Sequence, residues 1–261
     1  MKNLIFLCEK CGADFPKWHG RCPNCKEWDT LSEFKKPKNK KINSILLNNS
    51  VPKQINNFSK IGKNQRIKTN INELDRVLGG GFVPGSVVLI GGDPGAGKST
   101  LLLQACTKLA TDHGVLYVTG EESLQQLALR AQRLKLPMDG LSVAAETRAE
   151  VIASHIAAQK PQVVVLDSVQ VLQMEGLDST PGSVTQVRET AAFFTRLAKQ
   201  QDVVIILVGH ITKEGGLAGP KVLEHMIDCF MMLDSPAGSR YRTLRGHKNR
   251  FGAVNELGVF A

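Results

Sequence analysis

The chain has 261 residues, 42% of them hydrophobic, and a formal net charge of +9. That length suits one large domain and a small module, and no apolar run approaches the ~18 residues that would suggest a membrane span. The opening run Met1–Leu7 is too short for a signal-peptide core and leads directly into Cys8-Glu9-Lys10, so a cytoplasmic protein with no membrane association is expected.

The charge is unevenly placed. Residues 1–66 hold 14 Lys/Arg against 5 Asp/Glu, whereas residues 67–261 hold 19 of each. A basic N-terminal segment suggests a polyanionic partner, most often nucleic acid. The competing interpretation is a solvated linker. Within this segment Cys8-x2-Cys11 and Cys22-x2-Cys25 are separated by ten residues. Two such knuckles form a four-thiolate zinc site, closed and therefore structural. A segment of about thirty residues has too little core to fold unaided, so metal would supply its folding energy. Disulfides are the competing arrangement and are disfavoured in a reducing compartment. The zinc module is expected over 1–34, and the Lys-rich, aperiodic stretch that follows reads as a basic linker over 35–66. Cys106 and Cys229, in apolar surroundings, read as core thiols.

From residue 67 to 261 the pattern alternates strand and helix. A short helix over 71–78 ends at Gly79-Gly80-Gly81. Strands are expected at 87–90, 115–118, 141–144, 163–166, 203–208, 226–233 and 241–246. Helices are expected near 99–110, 124–133, 148–159 and 185–200. Apolar strands separated by helices imply an α/β fold with a mostly parallel sheet covered on both faces; the last strands, lacking long helices between them, suit antiparallel additions.

Chemistry concentrates at the ends of these strands. After Val87–Ile90 comes Gly92-Asp93-Pro94-Gly95-Ala96-Gly97-Lys98-Ser99, followed by Thr100 and an apolar helix. This matches G-x-x-x-x-G-K-[ST] in the strand–loop–helix context that the motif requires. Backbone N–H groups would cradle the phosphates of ATP, Lys98 would reach the β- and γ-phosphates, and Ser99 would hold Mg²⁺. The 115–118 strand leads to Gly120-Glu121-Glu122-Ser123. One of these acids can activate water, with Glu121 the candidate, and the other can cap the next helix. The 163–166 strand ends in Asp167, a magnesium-polarising acid in this context. The 203–208 strand ends in Gly209-His210, where His210 suits either a γ-phosphate sensor or a structural role. Two loops, 175–182 and the Gly-rich 213–221 with its two lysines, are candidates for nucleic-acid contact, the second the stronger. Near the end Arg240, Arg242, Arg245, Lys248 and Arg250 gather with no acid between them. Arg240 and Arg242 share a strand face, and Lys248 and Arg250 can serve as cations acting on a neighbouring subunit's phosphate.

In this order the motifs resemble the bacterial RadA/Sms family of RecA-like ATPases, over nearly the whole chain. The resemblance rests on the paired cysteine knuckles with Pro16-Lys17-Trp18-x-Gly20 and Trp28, and on Leu74-Asp75-Arg76-Val77-Leu78-Gly79-Gly80-Gly81. It rests further on the phosphate loop, Gly120–Ser123, Leu166-Asp167-Ser168, Pro181-Gly182-Ser183-Val184 and Lys248-Asn249-Arg250-Phe251-Gly252. It implies a hexameric, DNA-stimulated ATPase of recombinational repair that promotes branch migration, translocates on single-stranded DNA and works beside a recombinase. It supports catalytic roles for Lys98, Glu121 and Asp167, a nucleotide-sensing role for His210, and ATP-coupled roles for Lys248 and Arg250. Such proteins continue into a Lon-protease-like domain, whereas this sequence stops at Ala261. The alternative expectation is therefore a nucleotide-gated DNA-binding module without motor activity.

Overall fold

A computed structural model describes residues 4–35, 66–210, 223–236 and 238–261. The N-terminal part is a small antiparallel sheet of β1 (Leu4–Cys8), β2 (Asp14–Phe15) and β3 (Leu31–Lys35), in the order β2-β1-β3. Among the described residues its buried apolar groups are few, Leu7, Cys8, Cys22 and Leu31, with Phe6 and Phe15 packed beside the cysteines and Leu31. So few apolar groups cannot offset the chain entropy of ordering the module, which is why its stability must come from the cysteines.

Among the described residues the main sheet has 8 strands in the order β11-β10-β9-β4-β8-β7-β5-β6. These are β4 (Val87–Gly91), β5 (Val115–Thr119), β6 (Leu141–Ala145), β7 (Val163–Asp167), β8 (Val204–Val208), β9 (Cys229–Asp234), β10 (Arg242–Asn249) and β11 (Leu257–Phe260). The strands from β9 to β6 run parallel, β10 pairs antiparallel with β9, and β11 pairs antiparallel with β10. All residues of β4, β5, β7 and β8 are buried, as expected for strands covered on both faces.

Alternation along the strands divides the core in two. Val88, Ile90, Val163, Val165 and Tyr117 face α2 (Lys98–Leu109) and α3 (Leu124–Arg133), together with α1 (Asn72–Leu78). Val87, Leu89, Val164, Leu166 and Leu116 face α4 (Ala149–Gln159) and α5 (Val184–Gln201). Each fully buried aliphatic side chain contributes about 1.5–3 kcal/mol, so the sheet is a rigid platform for whatever its loops carry.

The elements differ from expectation mainly near the C-terminus. The strand expected over 226–233 begins at Cys229, because Met226 and Ile227 turn back to bond the carbonyl of Leu223 at 2.9 and 3.1 Å. It is parallel to β4, not an antiparallel addition. The strand expected over 241–246 runs on to Asn249, and β11, too short to read from Leu-Gly-Val-Phe, closes the edge. Most of the linker expected over 35–66, and the whole 213–221 loop, lie outside the described residues.

Candidate functional site: a phosphate loop with converging carboxylates

The phosphate loop leaves the C-terminal end of β4 and enters α2. Gly92 adopts φ 149°, and a Cβ there would lie 2.2 Å from the carbonyl oxygen of Leu233, so the loop needs glycine for space as well as conformation. Gly97 is in the left-handed region, φ 100°, at the N-cap of α2. With no side-chain cap at this terminus, the first N–H groups of α2 remain available to an anion.

Lys98 is buried, 3% exposed. Its Nζ donates to the carbonyl oxygens of Gly92 at 2.8 Å and Asp93 at 2.9 Å, and lies 3.2 Å from Nδ1 of His210. An ammonium only donates, so Nδ1 accepts and Nε2 carries the imidazole proton. Nε2 is 3.2 Å from Oε1 of Glu121, which also accepts from the hydroxyl of Ser168. Lys98, His210 and Glu121 thus form one hydrogen-bonded chain from the phosphate loop to the end of β5. Burial lowers the pKa of Lys98 from its ordinary value, against the opposing pull of Asp167, Glu121 and Asp93.

Asp167 ends β7 opposite Thr119 of β5, and Tyr117 sits one diagonal away on the same face. The Tyr117 hydroxyl donates to Oδ2 of Asp167 at 2.5 Å. Burial first, and then the Asp167 carboxylate, raise the Tyr117 pKa well above that of an ordinary phenol, so it remains a donor. The acids of the β5–α3 turn separate clearly. Glu122 is ion-paired with Arg130 of α3, and the N-cap is Ser123, in a reciprocal capping box with Gln126. Neither acid caps the helix, and Glu121 alone of the pair joins the Lys98 network.

These side chains come from loops at the C-terminal ends of neighbouring parallel strands, the edge where open α/β sheets bind ligands. Ser99 and Thr100 occupy the first turn of α2. Together Lys98, Ser99 and Asp167 can hold a triphosphate and its cation, and Glu121 can accept a proton from water. Two residues were missed from sequence. Tyr117 carried a signal, a hydroxyl inside an otherwise apolar strand. Arg242, read only as one of the basic group from Arg240 to Arg250, comes close to Gly97, whose missing Cβ would lie 3.2 Å from Nε of Arg242. Beside it opens a cavity of about 150 Å³ lined by Thr100, Leu101, Gln104, Leu233 and Phe260.

Lys248 and Arg250 lie elsewhere. Lys248 pairs with Phe230 and Asn249 with Cys229 at the start of β9, level with the start of β4. This is the opposite end of the sheet from the phosphate loop, about 13 Å along the strand. Arg250 bonds Asp228 at 3.3 Å, and Lys248 donates to the carbonyl of Glu224. Within one chain neither cation approaches the loop.

The four N-terminal cysteines also converge. Their sulfurs all lie within 4.8 Å of one another, with Cys8–Cys25 and Cys11–Cys22 each at 3.6 Å. A tetrahedron with Zn–S bonds of about 2.3 Å has edges of about 3.8 Å, so the cluster fits a closed tetrahedral ion. Burial and the surrounding thiols push Cys25 up to about 12. For Cys8, burial is outweighed by the Thr30 hydroxyl and the N–H groups of Cys11 and Lys10, which hold it at about 6. A divalent cation would remove that conflict by stabilising all four thiolates. Arg188 of α5 docks the module, donating to the Gly12 carbonyl at 3.1 Å and pairing with Asp14 at 3.7 Å.

Fold and site define the class: a RecA-like P-loop ATPase domain preceded by a zinc ribbon. An AAA domain model matches residues 59–216 and a rubredoxin metal binding domain model matches 6–33. A solved ATPase domain superposes with a TM-score of 0.66 at 15% identity, covering 80% of this chain and 94% of that one, which supports the fold alone. The chain belongs to the RadA family. It is 54% identical to the DNA repair protein RadA of Escherichia coli over 98% of its own length and 57% of the relative's. To that of Haemophilus influenzae it is 54% identical, over 99% and 57%, and to that of Listeria monocytogenes 47%, over 99% and 57%. The chain therefore spans little more than half the length of the curated relatives it matches. No helix among the described residues is long and apolar enough to cross a membrane.

Proposed function

We propose that this chain binds ATP with Mg²⁺ and hydrolyses it in a DNA-dependent manner, as part of recombinational DNA repair. The observation that carries the reading is the chain of contacts from Lys98 through His210 to Glu121, with Asp167 beside it. Residues Gly92, Asp93, Pro94, Gly95, Ala96 and Gly97 wrap the phosphates, and Thr100 opens the helix behind them. Lys98 leaves the Gly92 and Asp93 carbonyls for the β- and γ-phosphates. Ser99 and Asp167 would hold Mg²⁺, which when bound would supply positive charge to the phosphates. Glu121 accepts the proton of the attacking water. When Lys98 turns to the phosphates His210 loses that partner, so its hold on Glu121 depends on nucleotide, and that is the sensing role.

The remaining assignments belong to the same proposal. Cys8, Cys11, Cys22 and Cys25 hold zinc in a module over 1–34, joined by a basic linker over 35–66 to an ATPase domain over 67–261. Lys248 and Arg250 act on a neighbour's nucleotide, a role consistent with their distance from the loop of their own chain and with a homo-hexamer. Branch migration, translocation on single-stranded or branched DNA and a recombinase partner accord with the names of the relatives, all DNA repair proteins.

The test is a pair of variants. Glu121→Gln keeps ATP binding and lowers turnover by about 10²–10⁴-fold, the usual worth of a general base. Glu122→Gln, which loses only its partner Arg130, stays within a few-fold of the parent. Equal effects in steady-state phosphate release would remove Glu121 from the role.

A further inference from the structure

Both tryptophans of the chain, Trp18 and Trp28, lie in the zinc ribbon. They are 55% and 71% exposed, and neither belongs to the core of Cys8, Cys22 and Leu31. Leaving that much indole in water has no folding benefit, and exposed aromatic surface of this kind commonly marks a binding site. Both rings border Gly20. A Cβ on Gly20 would lie 3.5 Å from Cη2 of Trp18 and 3.9 Å from Cζ3 of Trp28, so Gly20 forms a shared floor between them.

A cation is fixed at the same place. The Arg21 guanidinium lies 5.7 Å from the centroid of the Trp28 ring. It is held there because its Nε donates to the carbonyl of Lys26 at 2.7 Å, where Arg21 and Trp28 form an antiparallel bridge. Two of the ribbon's acids pair with other cations, Glu27 with Lys10 at 3.0 Å and Asp14 with Arg188 at 3.7 Å. Beyond the module, residues 35–66 contain nine Lys/Arg and no Asp/Glu.

We infer that Trp18, Trp28 and Arg21 form a base-stacking platform for single-stranded DNA. The inference rests on the reading of DNA as the partner and assigns part of that binding to the zinc ribbon. Unpaired bases expose π faces that stack on indole whatever their sequence, while cations meet the phosphates. A duplex keeps those faces stacked on one another, so the platform selects single strands. A protein could also dock on two tryptophans, but the run of one charge sign that follows the ribbon in sequence matches a polyanion better.

The sequence provides the probe, since these are the chain's only tryptophans and intrinsic tryptophan emission reports this module alone. The zinc-loaded chain is titrated with an end-labelled oligothymidylate, following label anisotropy and tryptophan emission together. Emission is quenched with the same midpoint as the anisotropy rise. An abasic oligonucleotide of equal length and charge binds without quenching. Trp18→Ala and Trp28→Ala each weaken binding about tenfold, with zinc content unchanged, and Trp28→Phe restores part of the loss. A rise in anisotropy with unaltered emission, or unchanged affinity in both alanine variants, overturns the platform while leaving DNA binding intact. A flat anisotropy trace removes the DNA reading as well.

Discussion

Tyr117, fully buried, holds one carboxylate oxygen of Asp167 by a hydrogen bond at the edge of the core, where Asp167 keeps a small exposure. A buried donor to a carboxylate fixes which oxygen faces outward, and an outward oxygen at that strand end is what a magnesium–nucleotide complex needs. Tyr117→Phe removes the hydroxyl and keeps the ring, so the fold persists while Asp167 loses its partner. The expected outcome is a roughly tenfold higher Mg²⁺ concentration for half-maximal ATP hydrolysis, about 1.4 kcal/mol. A Mn²⁺-binding titration in the presence of a non-hydrolysable ATP analogue should show the same shift. An unchanged metal requirement would make the hydroxyl merely a satisfied core group. The phosphate loop and Asp167 were legible in sequence because their residue types are dictated locally, by a turn that must wrap phosphate and by a strand that must end. Tyr117 and Arg242 were not, because what brings them in is the pairing of strands distant in sequence: β5 beside β7, and β10 across from the loop through β9.

Among the elements, β4 is held at both ends. At its exit the loop presses against Leu233, where Gly92 leaves no room for a side chain. At its entry the buried Asp228 accepts from the Val87 N–H at 3.0 Å and pairs with Lys199 and Arg250. This explains why β9 starts later than its apolar pattern suggests: Asp228 is a clasp between strands, and pairing with β4 begins at the next residue. Asp228→Ala leaves the Val87 N–H buried without an acceptor and should cost about 1–3 kcal/mol. Lys199→Ala removes only a half-exposed member of the pair and should cost less than about 1 kcal/mol. Thermal melts of the two variants give the comparison, and equal melting temperatures would contradict the clasp. The helices were legible to within a residue or two, since each carries an apolar stripe, and the first also has a clear stop at Gly79. The small strands of the zinc ribbon were not legible, because cysteine spacing, not apolar periodicity, organises that segment.

At the scale of the molecule, two units with different sources of stability are joined. The ATPase domain stands on a two-faced hydrophobic core, whereas the ribbon depends on thiolate ligation. Acid should therefore separate them. Metal binding requires ionised thiols, and groups whose pKa is pushed up without metal, such as Cys25, take up protons first as pH falls. Zinc is retained at neutral pH and lost on acidification, while the nucleotide site, which uses no cysteine, survives to lower pH. A chelating dye read against pH, alongside binding of a fluorescent ATP analogue, follows both events. Coincident loss would mean that the ribbon and the ATPase domain unfold as one unit. The central claim is that the Lys98 network is an ATP-hydrolysing site that responds to DNA. The measurement that tests it most directly is ATP turnover by this chain with and without single-stranded DNA, with Lys98→Ala as the blank. The account predicts turnover that rises on adding DNA and vanishes in Lys98→Ala. Turnover indifferent to DNA, or persisting without Lys98, would contradict it.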